Sequence, residues 1–227
     1  MTNCPITILF HKDCFDGFGA AWVASKALEN RDKQTDGLKL ARTQQLIPCA
    51  YGDAVPDIKY SEVYILDFSF PKPMMEKFKA ANISVVCLAH HKTAQANLEG
   101  LDWCTFDMNR SGAGMTWDYF YPGQPRPDLI NVVEDRDLWR FALAKTRALH
   151  AYIESYPKDF PSWDKLENDL IYHYADCVYA GEAILRYHDQ KVQELAQFAI
   201  PKEIAGYTVP VVNCPYIFAS DVLHLLT

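Results

Sequence analysis

The stretch "YILDFSFPKPMMEKFKAANISVVCLAHH", residues 64–91, decides the fold. It joins two continuous apolar runs through an amphipathic segment, and such runs are typical of strands that are buried on both faces of a sheet. The same alternation begins at residues 6–11, "ITILFH", which the helical pattern "DGFGAAWVASKALENR" follows directly. We therefore predict an α/β fold in which a parallel sheet is flanked by helices.

Further elements continue this pattern along the chain. Additional strands are predicted within "LARTQQLIPCAYG" and "WCTFDM", and Ser111 is the predicted cap of a helix that begins in "SGAGMTWDYFY". A long helix is predicted from about Asp164 to Phe198, with a break near Gly181, because apolar residues recur there at helical spacing without a proline. We predict a first domain over residues 1–150, a helical connector over 151–200, and the start of a truncated or rudimentary C-terminal domain over 201–227.

Composition and charge argue against several classes of protein. The 227 residues carry a net charge of −7, which disfavours broad electrostatic binding to long nucleic acid. No apolar run approaches the roughly 20 residues of a membrane span, and the first residues lack the basic start of a signal peptide. The seven cysteines form no Cys-x-x-Cys pair, which argues against a disulfide framework and a structural zinc site. We expect a cytoplasmic protein with no membrane partner.

Polar side chains that can bind metal cluster near the carboxyl ends of the predicted strands. Taken singly, each has an ordinary explanation as a helix cap or a turn residue. In a parallel sheet these ends share one edge, where convergent carboxylates without a counter-charge would repel one another. Two divalent cations would offset that repulsion, and mixed histidine and aspartate ligation suits manganese, with magnesium, cobalt or zinc as alternatives. The residues concerned are His11, Asp13, Asp16, Asp67, His90, His91, Glu134, Asp135 and Asp137.

Such a pair of metals would activate a bridging water for attack at phosphorus, which indicates phosphoester or phosphoanhydride hydrolysis. The ordered motifs "FHKDCFDGFGAA", "YILDFSF", "HHKTA", "DMNRSGAGMTWD" and "VEDRDLW" resemble the DHH phosphoesterases, a family of nano-RNases, single-strand exonucleases, cyclic-dinucleotide phosphodiesterases and family II pyrophosphatases. The match spans residues 6–140. The resemblance implies a metal-dependent phosphodiesterase acting on short oligonucleotides or small nucleotides. A nucleotide-binding regulatory module and a pyrophosphatase-like enzyme are the alternatives.

The resemblance also implies roles for individual residues. His91, Asp67 and position 89 form the expected catalytic set, and His91 faces the substrate phosphate. Asp13 is the weaker ligand candidate because two residues separate it from Asp16, where many family members have one. Asp137 competes with Asp135, which we prefer because it follows the apolar "NVV" more closely. In the implied arrangement, one metal is held by His11 and Asp13, the other by Asp16, His90 and Asp135, and Asp67 bridges both.

Basic and small residues near the same crevice are predicted to contact the substrate phosphate. Arg110, Ser111 and Gly112 lie at a predicted helix start, where backbone N–H groups and the helix dipole favour an anion. Lys92 and Arg136 add positive charge. Helix capping and surface solvation are the alternative explanations for these residues.

The chain departs from the family at two places. Ala89 stands where the family triplet has aspartate, so the chain is expected to be inactive or impaired as given. Because the other ligand candidates are retained, we interpret Ala89 as an inactivating substitution, and a native alanine in a nucleotide-binding pseudoenzyme is the alternative. Residues 201–227 also lack the glycine-rich, histidine-containing loop of the DHH-associated domain. A truncated chain and a short natural form that completes its site as a homodimer both fit this ending.

Overall fold

The parallel sheet predicted from the apolar runs is confirmed. The computed structural model describes residues 4–36 and 42–227, so residues 1–3 and 37–41 of the predicted first domain lie outside the described residues. Five parallel strands run in the order β2-β1-β3-β4-β5. They are β1 (Ile6–His11), β2 (Gln44–Cys49), β3 (Glu62–Leu66), β4 (Ser84–Ala89) and β5 (Cys104–Phe106).

Helices cover both faces of this sheet. In chain order they are α1 (Phe15–Asp36), α2 (Lys72–Ala81), α3 (Lys92–Asn97), α4 (Gly112–Phe120), α5 (Asp128–Asp137), α6 (Thr146–Glu154), α7 (Phe160–Tyr172), α8 (Tyr174–Ala196) and α9 (Tyr216–Leu226). Successive strand residues point to opposite faces. Ile8 therefore packs in the core that contains Trp22 of α1, while Leu9 packs in the core that contains Met75 of α2.

Side-chain caps fix the start of two helices. The hydroxyl of Ser111 accepts a hydrogen bond from the backbone N–H of Gly114 at 3.1 Å, which confirms Ser111 as the predicted cap of α4. The carboxylate of Asp159 accepts a hydrogen bond from the N–H of Ser162 at 2.7 Å and starts α7 in the same way. The start of α4 lies directly beside the carboxyl edge of the sheet, because Gly112 packs against Asp67.

The break predicted near Gly181 is wrong. The predicted long helix divides at His173, which separates α7 from α8 and donates its backbone N–H to the carbonyl oxygen of Asp169 at 2.7 Å. Gly181 lies inside α8, where an added Cβ would sit 1.9 Å from the carbonyl oxygen of Ala148. The glycine therefore allows α6 and α8 to pack closely, rather than ending a helix.

The last part of the chain, residues 200–227, contains two strands and a helix. An antiparallel hairpin joins β6 (Ile200–Ile204) to β7 (Tyr207–Val211), and α9 follows it and packs against α8. Across residues 4–36 and 42–227, no helix combines the length and the apolar character that a bilayer crossing requires.

Candidate metal centre

The carboxyl edge of the sheet gathers five of the predicted ligand residues. His11 ends β1, Asp67 directly follows β3, His90 and His91 follow β4, and Asp16 lies in the first turn of α1. Nδ1 of His11 lies 3.5 Å from Oδ2 of Asp67, and Nε2 of His90 lies 3.0 Å from Oδ1 of the same carboxylate. Imidazole nitrogens and carboxylate oxygens thus converge at one point of the sheet edge, as the sequence predicts.

The ligand-type atoms form two groups of three residues that share Asp67. One group is His11, Asp67 and His91, and the other is Asp16, Asp67 and His90. Within each group, one nitrogen or oxygen atom from every residue lies within 4.8 Å of the others. Each group can therefore surround one cation, with the Asp67 carboxylate between the two.

The backbone holds Asp67 in an unusual position. Asp67 is almost fully buried and has a φ of 62°, a left-handed conformation that costs a residue other than glycine about 1 to 3 kcal/mol. Gly112 packs directly against it, since an added Cβ there would lie 2.5 Å from Cβ of Asp67 and 3.0 Å from Oδ2 of Asp16. Among the described residues, none donates a hydrogen bond to the buried Oδ1 of Asp67, although Nε2 of His90 lies 3.0 Å away. A buried carboxylate oxygen left in this state is a fit partner for a cation.

The start of α4 binds a carboxylate of the protein itself. Oδ2 of Asp16 accepts a hydrogen bond from the N–H of Gly112 at 2.6 Å, and Oδ1 accepts one from the N–H of Ala113 at 2.8 Å. The N–H of Ser111 donates to Oε2 of Glu134 at 2.9 Å. The substrate-contact role predicted for Ser111 and Gly112 is therefore wrong in this geometry, because their N–H groups already have acceptors. They orient Asp16 and Glu134 instead.

The three basic residues predicted to contact phosphate have different environments. Arg110 is paired twice, with Asp107 at 2.8 Å and with Asp118 at 2.9 Å. Lys92 begins α3 on the exposed surface, and no ion pair involves it among the described residues. Arg136 lies at the crevice, where it binds Asp221 at 3.0 Å. Arg110 could reach a phosphate only by giving up one of its two carboxylate partners, and the substrate-contact roles of Arg110, Lys92 and Arg136 stay predictions.

Asp137, rather than Asp135, faces the cluster. Oδ2 of Asp137 lies 3.6 Å from Nε2 of His90. The carboxylate of Asp135 accepts hydrogen bonds from the N–H groups of Ala142 and Leu143, at 2.9 and 3.0 Å, and from the hydroxyl of Thr146. Two helical positions differ by about 200° around the axis, so the two carboxylates point to opposite sides of α5. The preference for Asp135 as a ligand is wrong.

Asp13 also lies outside both ligand groups. It occupies the turn between β1 and α1 with a φ of 60°, and it is exposed. His91 takes the place beside His11 that the resemblance assigned to Asp13. The geometry therefore does not support Asp13 as a ligand.

Electrostatic repulsion among the carboxylates is strong. Burial, together with the charges of Asp67 and Asp137, raises the pKa of Asp16 well above its usual range. Burial and the charge of Asp67 raise the pKa of Asp137 to about 6. Burial alone would raise the pKa of Asp67, but His11 and His90 lower it to about 2. Full ionisation of these carboxylates is thus unfavourable by itself, and a divalent cation would favour it.

Position 89 lies beside an imidazole that lacks a partner. Ala89 is fully buried at the end of β4, and side-chain alternation along extended backbone assigns positions 89 and 91 to the same face. Nδ1 of His91 is buried without a hydrogen-bond partner among the described residues. Burial lowers the pKa of this histidine. A carboxylate at position 89 would therefore lie on the same face of the extended backbone as His91.

Sequence reasoning missed several residues around the cluster. The ring of Tyr51 lies 6.0 Å from that of His11 and 5.9 Å from that of His91, and its position just after β2 was the signal that could have indicated it. His150 and Lys158 contribute to a cavity of about 490 Å³ that adjoins Asp16 and Asp137. Their distance from the motifs in the sequence gives no local signal.

Comparisons with known proteins support the fold and give no function. No family model matches the chain. It is 29% identical over 181 residues to an uncharacterized protein of Acanthamoeba polyphaga mimivirus, and the alignment covers 75% of this chain but 42% of that protein. The chain thus spans less than half the length of the curated relative that it matches.

A solved structure gives the second comparison. The crystal structure of an uncharacterized protein from Helicobacter pylori G27 superimposes with a TM-score of 0.55 at 15% identity, covering 84% of this chain and 63% of that one. At this identity the likeness concerns the fold alone. Neither protein has an assigned activity, so the resemblance of the sequence motifs to the DHH phosphoesterases stays a prediction.

Proposed function

We propose that this chain is a metal-dependent phosphodiesterase of the DHH type, which hydrolyses short oligonucleotides or small nucleotides and is inactive or impaired because of Ala89. The observation that carries the proposal is the pair of ligand groups that share the buried Asp67. A carboxylate shared by two groups of ligand-type residues would hold two cations close together. That arrangement is typical of hydrolases that use two metals.

The residues present fit two divalent cations. His11, Asp67 and His91 surround one position, and Asp16, Asp67 and His90 surround the other. Mixed imidazole and carboxylate donors favour manganese over calcium, and this set is compatible with magnesium, cobalt and zinc. When bound, such cations supply an activated water and offset the charge that develops at phosphorus.

The protein's own residues orient this chemistry. The two N–H groups at the start of α4 fix both oxygens of Asp16, at 2.6 and 2.8 Å. Asp137 adds a further carboxylate beside His90 at 3.6 Å. His91, a neutral imidazole in its buried position, can either complete the ligand group or donate one hydrogen bond to a phosphate oxygen.

An aspartate at position 89 would orient His91. Its carboxylate would accept a hydrogen bond from Nδ1, which fixes the tautomer and aims Nε2 into the crevice. With alanine, Nδ1 has no partner and the ring orientation is less restricted. The proposed impairment is therefore a loss of positioning, while the metal-binding residues remain in place.

The test restores the carboxylate. Ala89→Asp and Ala89→Asn are compared with the unchanged chain in manganese, with di- and trinucleotides as substrates and with bound metal measured in each protein. Ala89→Asp is expected to raise the rate of hydrolysis about 10- to 100-fold over the unchanged chain. Ala89→Asn should give a smaller gain, because its amide oxygen accepts a hydrogen bond but carries no charge. Asp67→Asn in the Ala89→Asp background is the matched inactive control, and it should lose metal and turnover together.

Other outcomes separate the alternatives. An Ala89→Asp protein that holds its metals and still hydrolyses no oligonucleotide would overturn the phosphodiesterase proposal. Nucleotide binding without turnover in that protein would identify a binding module, which the absence of a carboxylate at position 89 favours as the second candidate. Phosphate release from pyrophosphate alone would identify a pyrophosphatase. Fewer than one metal per chain would count against all of the metal-based proposals.

A further inference from the structure

A cavity of about 490 Å³ opens directly from the metal centre on the side of α5, α6 and α9. That volume lies within the range of small-molecule sites. Asp16 and Asp137 form its inner end, and Phe15, His150 and Lys158 line the wall beyond them. A substrate whose phosphate reaches the metal centre can therefore extend its remaining part into this cavity.

Lys158 is an uncommitted cation in this cavity. Its Nζ lies 4.6 Å from the centre of the Phe15 ring, and no carboxylate pairs with it among the described residues. Phe15 immediately precedes Asp16 at the start of α1. An amine that rests on an aromatic face is partly pre-positioned, because the electron-rich face of the ring attracts the positive charge.

Two other cations near this cavity already have carboxylate partners. Arg136 binds Asp221 at 3.0 Å, and Lys12 binds Asp53 at 2.9 Å. Both can reach an anionic substrate only by giving up an ion pair, a cost that Lys158 does not have. Lys158 is thus the cation of this wall that is free to bind a new anion.

Two further titratable groups on the wall face each other. Nδ1 of His150 lies 3.6 Å from Oε2 of Glu154, and both residues line the cavity. Tyr216 and Ile217 at the start of α9 line it as well. Asp13, Asp16 and Asp137 add carboxylates to the lining, and Lys158 is the lining cation that has no carboxylate partner among the described residues.

We propose that Lys158, seated on Phe15, binds a second anionic group of the substrate, such as a terminal phosphate, beyond the phosphate that lies at the metal centre. This assignment rests on the proposed phosphodiesterase function and names a specificity-determining residue for it. It makes a dinucleotide with a terminal phosphate a better ligand than the same dinucleotide without one.

Equilibrium binding to the unchanged chain tests this assignment without relying on turnover. Calorimetry in manganese measures Kd for a dinucleotide with a 5′-phosphate and for the same dinucleotide without it. Lys158→Ala is expected to weaken binding of the phosphorylated ligand about fivefold and to leave the other unchanged, as the loss of an exposed ion pair predicts. Lys158→Arg should retain the preference, and Lys202→Ala, an exposed lysine of the β6–β7 hairpin, is the matched control.

The kinetic arm uses the Ala89→Asp background. There, Lys158→Ala should raise KM for the phosphorylated dinucleotide about fivefold, with kcat unchanged. The assignment of Lys158 would be overturned if Lys158→Ala bound both ligands as tightly as the unchanged chain does. It would also be overturned if the variant lost the same affinity for both ligands. If Ala89→Asp hydrolyses neither ligand but the calorimetric preference depends on Lys158, the second anion site stands and the phosphodiesterase function fails.

Discussion

Helix α5 ends between two regions that use aspartate in opposite ways. In the corner between α5 and α6, Asp135 receives three hydrogen bonds and is 4% exposed. At the sheet edge, Asp137 and Asp67 face imidazoles and each other, and Oδ1 of Asp67 accepts no hydrogen bond. A carboxylate whose oxygens accept hydrogen bonds from fixed protein donors is an anchor, whereas a carboxylate that lies beside like charges is available to a cation.

The corner needs its anchor because its backbone is unusual. Trp139, Phe141 and Lys145 have φ values of 54°, 50° and 71°, in the left-handed region that residues other than glycine rarely adopt. Asp135 ties this segment together, since its carboxylate binds the N–H groups of Ala142 and Leu143. The sheet edge has one such residue, Asp67, and its main unfavourable feature is the charge repulsion among its carboxylates.

The largest effect is expected at the anchor. Asp135→Ala leaves two backbone N–H groups and the Thr146 hydroxyl without their acceptor, so the free energy of unfolding should fall by about 3 kcal/mol. Urea denaturation measures the change. Asp135→Asn keeps one acceptor oxygen, so its free energy of unfolding should lie between those of the unchanged chain and Asp135→Ala. Manganese stoichiometry should be unchanged in any folded variant.

The control lies on the same helix. Asp128→Ala, at the exposed first turn of α5, should cost less than about 1 kcal/mol. Equal destabilisation by Asp128→Ala and Asp135→Ala would show that the corner is not held by the Asp135 carboxylate. A loss of metal in a folded Asp135 variant would restore Asp135 as a ligand.

Much of the sheet edge could be predicted from sequence because strand geometry is local. Continuous apolar runs predict buried parallel strands, and residues at the carboxyl ends of such strands must meet at one edge. His11, Asp67 and His90 follow from that reasoning alone. Asp16 follows as well, because the first turn of the helix after β1 lies above the same edge.

The choice between Asp135 and Asp137 could not be made in this way. It depends on the rotation of α5 about its axis, which packing of Leu129, Val132 and Val133 against the core fixes. The partner of the α4 start could not be predicted either. A helix N-terminus attracts any anion, and the sequence does not show whether that anion is a substrate phosphate or the carboxylate of Asp16. Both cases depend on contacts between residues that are far apart in the sequence.

The next largest effect is expected at Asp137, on the sheet-edge side of α5. Asp137→Asn removes a carboxylate beside His90, so manganese affinity should fall by about 10- to 100-fold, as measured by calorimetry. Burial and Asp67 raise the pKa of Asp137 to about 6, so its charged form is unfavourable in the folded protein. Removing that charge should therefore leave the thermal midpoint unchanged or raise it at neutral pH.

Asp13→Asn is the matched variant for this measurement. Asp13 is exposed and lies outside both ligand groups, so its manganese affinity should match that of the unchanged chain. If Asp13→Asn weakens manganese binding as much as Asp137→Asn does, the ligand assignment from the sequence motif is right and the geometric one is wrong.

The smallest effect is expected where α9 meets the end of α5. Asp221 lies 3.0 Å from Arg136, 3.3 Å from His188 and 3.7 Å from Arg147, so one carboxylate joins three side chains from α5, α8 and α6. Asp221→Asn keeps the shape and removes the charge, which should cost about 1 kcal/mol.

For a chain of this size that cost corresponds to a fall of about 2 to 4 °C in Tm. Hydrogen exchange should become faster in α9 and stay unchanged in α1, because the carboxylate joins α9 to α5 rather than stabilising the sheet. Asp189→Asn, which removes only the exposed partner of Arg147, is the matched control and should leave exchange in α9 unchanged. If Asp221→Asn leaves exchange in α9 unchanged as well, apolar contacts hold α9 in place, and the ion pairs of Asp221 do not stabilise it.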